Sequence, residues 1–218
     1  MIFSDNPIES SGSTCLFSSF KPVVSYTTRP KRENETDGVE HYFITPEEAK
    51  EKLKTEHVLA YTKIGEYEYF ATVEALNDSN LYIIDPNGVK YLKENFPELN
   101  IKIIYIKVDD NVRIERIKKR DINDYNTKFK PRNEAENERF TEFENSKAWD
   151  LLIDNTNEKT LDMYIKIQDF LYKSETDSIS NNKKSPLYLI VGRTGSGKDT
   201  ITRNISTWKL CLYISLHL

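Results

Sequence analysis

The sequence contains little cysteine and has no surplus of basic residues. Two cysteines in 218 residues are too few for a disulfide framework, which favours a reducing, cytoplasmic setting. Lysine and arginine number 31 against 35 aspartate and glutamate residues, so the net charge of −4 argues against general binding to nucleic acid. The chain starts without the basic-then-apolar order of a signal peptide, and the apolar run LCLYISLHL near its end is too short to span a bilayer. These absences predict a cytoplasmic protein that works on neither nucleic acid nor membranes.

Glycine is also scarce, yet three of the seven glycines lie within six positions near the end of the chain. An apolar run at 187–191 ends at Gly192 and is followed by the spacing Gly-x-x-x-x-Gly-Lys, which is typical of a P-loop. In such a loop the backbone N–H groups surround a phosphate, and the N-terminus of the next helix adds partial positive charge. The lysine reaches the β- and γ-phosphates of a nucleotide. The predicted ATP-binding residues of this segment are Gly192, Arg193, Thr194, Gly195, Ser196, Gly197, Lys198, Asp199 and Thr200.

One position departs from the P-loop pattern. Asp199 stands where serine or threonine normally ligates Mg²⁺, and Thr200 follows it directly. The sequence therefore predicts a phosphate cradle in which Mg²⁺ is carried by ATP, with Asp199 or Thr200 as the candidate protein ligand.

A second candidate phosphate site lies in a charged stretch of the N-terminal half. Arg29 and Arg32 are three residues apart, and Glu35 follows after the same interval. Two guanidinium groups on one loop can bind a single phosphate, and a carboxylate can hold one of them in position. A solvated charged loop is the alternative interpretation of this composition.

Basic residues are concentrated again between Arg113 and Arg132. Arg116 and Arg120 are four residues apart and so share one face of a predicted helix. That face is either a solvated helix surface or part of a lid that closes over polyphosphate.

The order of elements predicts an α/β fold. Short apolar runs at 81–85, 101–108, 150–155 and 187–191 alternate with helical segments, which indicates a mainly parallel sheet covered by helices on both faces.

Several local patterns are specific enough to predict boundaries. Thr45 and Glu48 have the spacing of a capping box at a helix start, and residues 57–71 are typical of two strands around a turn. Residues 128–132 are expected in a loop, and the polar stretch 173–185 is expected to be a linker.

Together these segments resemble the guanylate kinase family of nucleoside monophosphate kinases. SYTTRPKRENETDGVEHYF is similar to that family's GMP-phosphate segment, S-x-T-T-R-x-x-R-x-x-E-x-x-G-x-x-Y-x-F. RIKKR resembles the family's lid, and LLIDN resembles the strand and loop beside the adenine. The resemblance covers roughly residues 22–172 and 186–207. It implies a P-loop-type parallel sheet and transfer of the γ-phosphate of ATP, with Mg²⁺, to GMP or dGMP.

The resemblance also implies roles for individual residues. Those expected at the GMP phosphate are Arg29, Arg32, Glu35, His41 and Tyr69. Ser25 and Asp85 are expected to recognise guanine, and Asn155 to lie beside the adenine. Those expected to act in phosphoryl transfer are Lys198 and the lid arginines Arg116, Arg120 and Arg132.

Three positions differ from the family pattern. His41 replaces a phosphate-binding tyrosine and can still donate a hydrogen bond. Ala60 stands where a glutamate usually reads guanine, and Ile83 replaces an acidic residue. A kinase for a different nucleoside monophosphate is therefore an alternative. A non-catalytic, protein-binding module of the same family is a second alternative, and the presence of Lys198 speaks against it.

The order of the segments is unusual for the family, whose P-loop opens the protein. Here the P-loop comes last, which predicts a circular permutation of one domain spanning 1–218, with 22–172 and 186–207 joined by a linker at 173–185. A monomer that closes on itself is one expectation, a dimer that exchanges the P-loop is another, and a misassembled gene is a third.

Overall fold

The computed structural model describes residues 13–120, 122, 125–157, 159–207 and 209–215, with the backbone alone at 13–18, 120, 128, 131, 132, 135 and 209–215. The strands in these ranges are β1 (Ser13–Ser19), β2 (Ser25–Thr27), β3 (His41–Phe43), β4 (Val58–Ile64), β5 (Tyr67–Thr72), β6 (Leu81–Ile83), β7 (Ile101–Lys107), β8 (Leu151–Asp154), β9 (Leu187–Val191) and β10 (Lys209–Ser215). The helices are α1 (Pro46–Thr55), α2 (Pro86–Asn95), α3 (Asp110–Arg120), α4 (Lys130–Ser146), α5 (Thr160–Ser180) and α6 (Lys198–Ile205). A 3₁₀ turn covers Val73–Asn77, and a π-helical turn covers Tyr125–Phe129.

A four-stranded parallel sheet in the order β6-β9-β7-β8 forms the central layer. Within it, Leu189 of β9 pairs with Tyr82 on one side and with Ile103 on the other. All five residues of β9 are buried, which explains why this strand is a continuous apolar run rather than an alternating one. The strands expected at 101–108 and 150–155 are confirmed as β7 and β8.

Apolar side chains cover both faces of this sheet. Because successive side chains of a strand point to opposite faces, Leu189 belongs to one apolar layer and Ile190 to the other. The helix side chains in the first layer come from α2 and α4 and include Leu92, Phe96, Phe140 and Phe143. Those in the second layer come from α5 and α6 and include Met163, Ile167, Leu171, Ile201 and Ile205. The predicted α/β architecture is confirmed.

A second, mixed sheet has the order β3-β2-β5-β4. Its β4–β5 hairpin confirms the two strands expected at 57–71, and Gly65 in the turn has a φ of +63°. The capping box is also confirmed: the N–H of Glu48 donates to Oγ1 of Thr45 at 3.2 Å, and the N–H of Thr45 donates to the Glu48 carboxylate at 2.7 Å.

The prediction of a linker at 173–185 was wrong over most of that stretch, because α5 continues to Ser180. Polar residues persist inside the helix because they find partners there. The hydroxyls of Ser174 and Ser178 donate to backbone carbonyls one turn earlier, and Glu175 accepts a bond from Tyr188. The connection from α5 to β9 is therefore short.

The prediction of a loop at 128–132 was also wrong. The π-helical turn runs directly into α4, which begins at Lys130 with Pro131 in its first turn. Proline is well tolerated there because the first N–H groups of a helix have no partner inside it.

β1 and β10 form a separate antiparallel ribbon in which Ser19 pairs with Lys209 and Ser13 pairs with Ser215. β10 includes residues 210–215, the described part of the apolar run LCLYISLHL, and β1 lies within the first twenty residues. Ser19 precedes β2 of the second sheet, and Lys209 follows α6. The ribbon therefore holds the segment before β2 next to the segment after α6. Within the described ranges, no helix has the length and apolar character needed to cross a membrane.

Candidate functional site

The P-loop connects β9 to α6 at the C-terminal edge of the parallel sheet. Gly195 and Gly197 have φ values of +84° and +90°, a region that glycine adopts without a steric penalty. A Cβ atom at Gly192 would lie 2.5 Å from Oγ of Ser196, so the loop closes tightly at this point. α6 begins at Lys198, and the partial positive charge of its N-terminus is directed at the loop. The predicted order of strand, glycine-rich turn and helix is confirmed.

The polar groups of the second half of the loop are arranged around Ser196. Its Oγ is buried and has no hydrogen-bond partner in the described part of the chain. Asn155 donates from Nδ2 to the carbonyl of Ser196 at 2.8 Å, and Arg116 donates to the carbonyl of Asn155 at 2.8 Å. Asn155, predicted beside the adenine, and Arg116, predicted in the lid, therefore both lie next to the P-loop.

Arg113 attaches the P-loop to two helices, a contact that was not predicted from the sequence. Its side chain is fully buried, and Nη1 donates to the carbonyl of Thr194 at 2.9 Å. Nη2 donates to Asp110 of α3 at 2.6 Å and to Asn133 of α4 at 2.7 Å. A buried guanidinium requires such partners. The spacing of Asp110 and Arg113 is the sequence signal for part of this network.

Further side chains of α4 hold the first half of the loop. Glu136 is buried and accepts a hydrogen bond from the Thr194 hydroxyl at 2.9 Å. Arg193 donates to Asn137 at 2.7 Å and lies over the ring of Phe140, 5.0 Å from its centroid. No role was predicted for these α4 residues, because the local sequence does not indicate that they lie near the P-loop.

The remaining lid residues are described only in part. The side chains of Arg120 and Arg132 lie outside the described residues, so their role in the lid stays a prediction.

The first turn of α6 contains Lys198, Asp199 and Thr200, of which Asp199 and Thr200 are exposed. In the part of the chain that the structure describes, no group of three or more histidine, cysteine, aspartate or glutamate side chains could hold a metal ion. Mg²⁺ commonly binds through one or two carboxylates together with phosphate oxygens and water. The exposed Asp199 fits that limited role, with the nucleotide supplying most of the ligands.

A charged clamp formed by Arg29, Arg32 and Glu35 follows β2. Arg29 donates from both terminal nitrogens to the two carboxylate oxygens of Glu35, at 2.9 and 2.8 Å. The backbone N–H of Arg32 donates to the same carboxylate at 2.8 Å, while the Arg32 side chain is 57% exposed. The expected contact between a carboxylate and a guanidinium is therefore present, and Arg32 is the more accessible cation.

The electrostatic environment of Glu35 favours its ionised form. Burial by itself raises the pKa of this carboxyl, but the hydrogen bonds from Arg29 and from the N–H of Arg32, with the charges of both arginines, outweigh it. The pKa of Glu35 is therefore below its ordinary value of 4.5. A carboxylate with a lowered folded-state pKa stabilises the fold above its unfolded pKa, and this contribution is lost as the pH falls through the folded value.

We expect Glu35→Gln to lower the free energy of unfolding by about 2 kcal/mol at pH 7, because the paired charge of Arg29 loses its partner. The difference from the unaltered protein should shrink as the pH falls below 4.5 and should be lost as it passes through the lower folded-state pKa, where Glu35 of the native protein becomes protonated. Urea unfolding between pH 3 and pH 7 measures both effects. Glu33→Gln is the matched control, since Glu33 is exposed. A loss that is equal at every pH would contradict this account.

Ser25, His41 and Tyr69 lie beside the clamp on the second sheet. Ser25 and His41 are paired across β2 and β3, and Oγ of Ser25 is 2.9 Å from Nδ1 of His41. The Tyr69 ring centroid is 5.8 Å from that of His41, and the Tyr69 hydroxyl interacts with Arg29. Three residues predicted at the acceptor nucleotide are thus close together.

The electrostatic environment of His41 includes charged groups from both candidate phosphate sites. Burial lowers the pKa of His41 below 6.5, and the positive charge of Arg29 lowers it further, whereas Glu35 and Asp199 act in the opposite direction. Asp199, in the first turn of α6, is therefore near enough to His41 to affect its ionisation. The two candidate phosphate sites are therefore linked electrostatically through His41 and Asp199.

Asp85 follows β6 of the parallel sheet and contacts Thr62 of β4, an edge strand of the second sheet. Its Oδ1 accepts the N–H of Gly88 at 2.8 Å, so it caps α2. Its Oδ2 accepts bonds from Thr62 at 3.1 Å and from Arg139 of α4 at 2.9 Å. The cap explains the aspartate structurally, and its expected role in guanine recognition stays a prediction. Sequence reasoning assigned no role to Arg139.

The two apolar departures from the family pattern are part of the protein interior. Ala60 is buried in the layer that includes α2, and Ile83 packs against the layer that includes α5. Neither residue offers a polar group to a nucleotide.

Comparisons with known proteins converge on one family. The family model of guanylate kinase matches residues 15–174. A guanylate kinase of Symbiobacterium thermophilum is 36% identical over 81 residues, which are 34% of this chain and 38% of that protein. One of Fusobacterium nucleatum is 30% identical over 100 residues, 43% of this chain and 52% of that protein. The crystal structure of guanylate kinase from Anaplasma phagocytophilum matches with a TM-score of 0.46 and 21% identity, over 69% of this chain and 73% of that one.

These matches are partial. The chain spans 38% and 52% of the length of the two curated relatives. The range matched by the family model ends before Gly192, so the P-loop lies outside it.

Proposed function

The chain belongs to the guanylate kinase family, and from this premise we propose that it is an ATP-dependent nucleoside monophosphate kinase acting on GMP or dGMP. The observation that carries the proposal is the presence of two candidate phosphate-binding groups, the P-loop and the clamp of Arg29, Arg32 and Glu35, whose neighbouring residues Asp199 and His41 interact electrostatically. Transfer between two nucleotides requires both phosphates to be held in line, with little covalent chemistry from the protein.

On the donor side, the P-loop would bind the phosphates of ATP. Its backbone N–H groups, the N-terminus of α6 and the Lys198 ammonium all favour negative charge. A phosphate oxygen beside Ser196 would give its buried hydroxyl the hydrogen-bond partner that it lacks among the described residues. Asn155 would hold the loop on the adenine side.

On the acceptor side, the clamp would bind the phosphate of the monophosphate. Glu35 fixes the orientation of Arg29, and the exposed Arg32 side chain can close onto a bound phosphate. Tyr69 and the neutral His41 add hydrogen-bonding groups beside it. With both phosphates held in this way, the acceptor oxygen is positioned to attack the γ-phosphate of ATP.

Charge developing in the transferred group would be neutralised by Lys198 and by the lid arginines Arg116, Arg120 and Arg132. Mg²⁺ bound with ATP would be held by Asp199 or Thr200 as the candidate protein ligand and would help to neutralise the negative charge of the phosphates.

The chain order is proposed to be a circular permutation of the family's domain. β9 occupies the middle of the parallel sheet although it is the ninth strand of the chain, and the ribbon pairs Ser19 directly with Lys209. A short connection from α6 to β2 would restore the family order without moving any element. We also propose that the protein is cytoplasmic. It is either a monomer that closes on itself or a dimer that exchanges the P-loop.

The proposed activity is tested by a coupled ADP-release assay on the full chain, with Mg-ATP and a panel of ribo- and deoxyribonucleoside monophosphates. We expect turnover with GMP or dGMP. Turnover confined to pyrimidine monophosphates would replace the proposed substrate. A folded chain that turns over none of them would instead support the non-catalytic module.

A further inference from the structure

A row of polar side chains leads from the clamp to the far end of the acceptor site. Tyr69, which interacts with Arg29, pairs with Thr62 across β4 and β5. Paired strands are about 5 Å apart, so Thr62 is one strand further from the clamp. Thr62 in turn donates to Asp85. The row therefore connects the clamp to Asp85, where the family resemblance places recognition of the base.

Asp85 has little acceptor capacity left for a base. A carboxylate offers about four lone-pair positions. In Asp85, three of these are engaged, by the N–H of Gly88, the hydroxyl of Thr62 and the guanidinium of Arg139. Among the described residues, no second carboxylate contacts Thr62 or Arg139 through a hydrogen bond or ion pair. The nearby Ala60 is apolar and buried.

Arg139 offers the opposite chemistry. A guanidinium has five N–H donors and no acceptor, and the structure shows one of the donors of Arg139 bound to Asp85. Its side chain is 22% exposed, so the guanidinium group is partly accessible to solvent. Asp85 fixes the position of this guanidinium, as Glu35 fixes that of Arg29 at the other end of the site.

We propose that Arg139 reads the base of the acceptor nucleotide and selects 6-oxopurine monophosphates, a step that rests on the proposed function. Guanine and hypoxanthine both present two acceptors, O6 and N7, which match the two donors of a guanidinium, whereas adenine presents an amino donor at position 6. Among the described residues, Asp85 is the carboxylate that pairs with Arg139, and three of its acceptor positions are engaged, so the 2-amino group of guanine gains little there. The site therefore binds GMP and IMP alike and rejects AMP.

The test measures binding of each monophosphate to the full chain by calorimetry without ATP, so it does not depend on phosphoryl transfer. We expect dissociation constants for GMP and IMP within about tenfold of each other, and AMP weaker than both by about 30-fold or more. A preference for GMP over IMP above about 100-fold would overturn the proposal, because another acceptor would then read the 2-amino group.

Two variants separate base reading from a structural tie between α4 and α2. Arg139→Met should weaken GMP and IMP binding by about 10- to 100-fold and leave AMP unchanged, so that the base preference disappears. Arg139→Lys keeps a charge beside Asp85 but loses the planar fork, and it should weaken GMP binding while the fold remains intact. Arg203→Met, an exposed arginine of α6, is the matched control and should change none of these constants.

The outcomes distinguish this inference from the proposed function. If GMP binds but both Arg139 variants weaken GMP, IMP and AMP equally, Arg139 has only a structural role and the inference fails while the kinase proposal stands. If no monophosphate binds to the folded chain, the proposed function fails and the inference fails with it.

Discussion

Replacing Lys198 by methionine is expected to lower kcat for phosphoryl transfer by about 10³-fold, because the variant loses a cation that stabilises charge at the transferred phosphate. Lys198 begins α6 directly after the glycine-rich turn, so its ammonium and the N-terminus of the helix act on the same anion. Methionine preserves the length and the helical preference of the side chain, which limits the change to the charge. Initial rates with saturating GMP and Mg-ATP measure the effect.

Binding of GMP provides the internal control for this variant. The acceptor clamp lies on the second sheet and does not include Lys198, so calorimetric affinity for GMP should be unchanged. Arg203→Met removes a positive charge from the exposed face of the same helix and should retain full kcat. If Lys198→Met keeps its kcat but loses GMP affinity, the assignment of donor and acceptor sites is wrong.

Local signals were sufficient to predict the P-loop. The fixed spacing of Gly192 and Gly197 after an apolar strand reflects backbone conformations and close contacts that few other residues allow. The same holds for the Arg29 and Glu35 pair, whose members are six residues apart on one loop. In both cases the interacting groups are near each other in sequence.

Contacts between distant segments could not be predicted in this way. Arg113 meets Thr194 across 81 positions, and Arg139 meets Asp85 across 54. Each contact depends on how α3 or α4 packs against the sheets. In a stretch with several basic residues, the sequence also does not show which arginine makes such a contact. The continuation of α5 through Ser174 and Ser178 was missed for a related reason, since burial against the sheet overrides the turn preference of serine.

A chain shortened to end at Asn182 is expected to lose cooperative unfolding altogether. The deletion removes β9, whose five residues are all buried and which separates β6 from β7. Without it, the two apolar layers lose their shared strand and the sheet is divided. The removal of several fully buried side chains costs more than the net stability of about 5–15 kcal/mol that a typical domain possesses. Urea unfolding followed by circular dichroism measures the loss.

A reordered chain provides the counterpart to this deletion and tests the permutation directly. In this chain, residues 186–207 come first and residues 19–182 follow. The two segments are joined by about four glycine and serine residues, which span up to about 13 Å. Because Ser19 and Lys209 are paired in the ribbon, this linker is long enough to replace it. We expect the reordered chain to unfold cooperatively within about 2 kcal/mol of the original and to bind GMP equally well.

Light scattering then distinguishes a closed protomer from an exchanged one. If the original chain is monomeric like the reordered chain, β9 pairs within its own protomer, as the register with Tyr82 and Ile103 describes. If the original chain is a dimer and the reordered chain is a monomer, the P-loop segment is exchanged between copies through the connection from α5 to β9, because the reordered chain lacks that connection. A reordered chain that does not fold, while the original does, would contradict the permutation, since the same elements would then fail to pack in the family's own order.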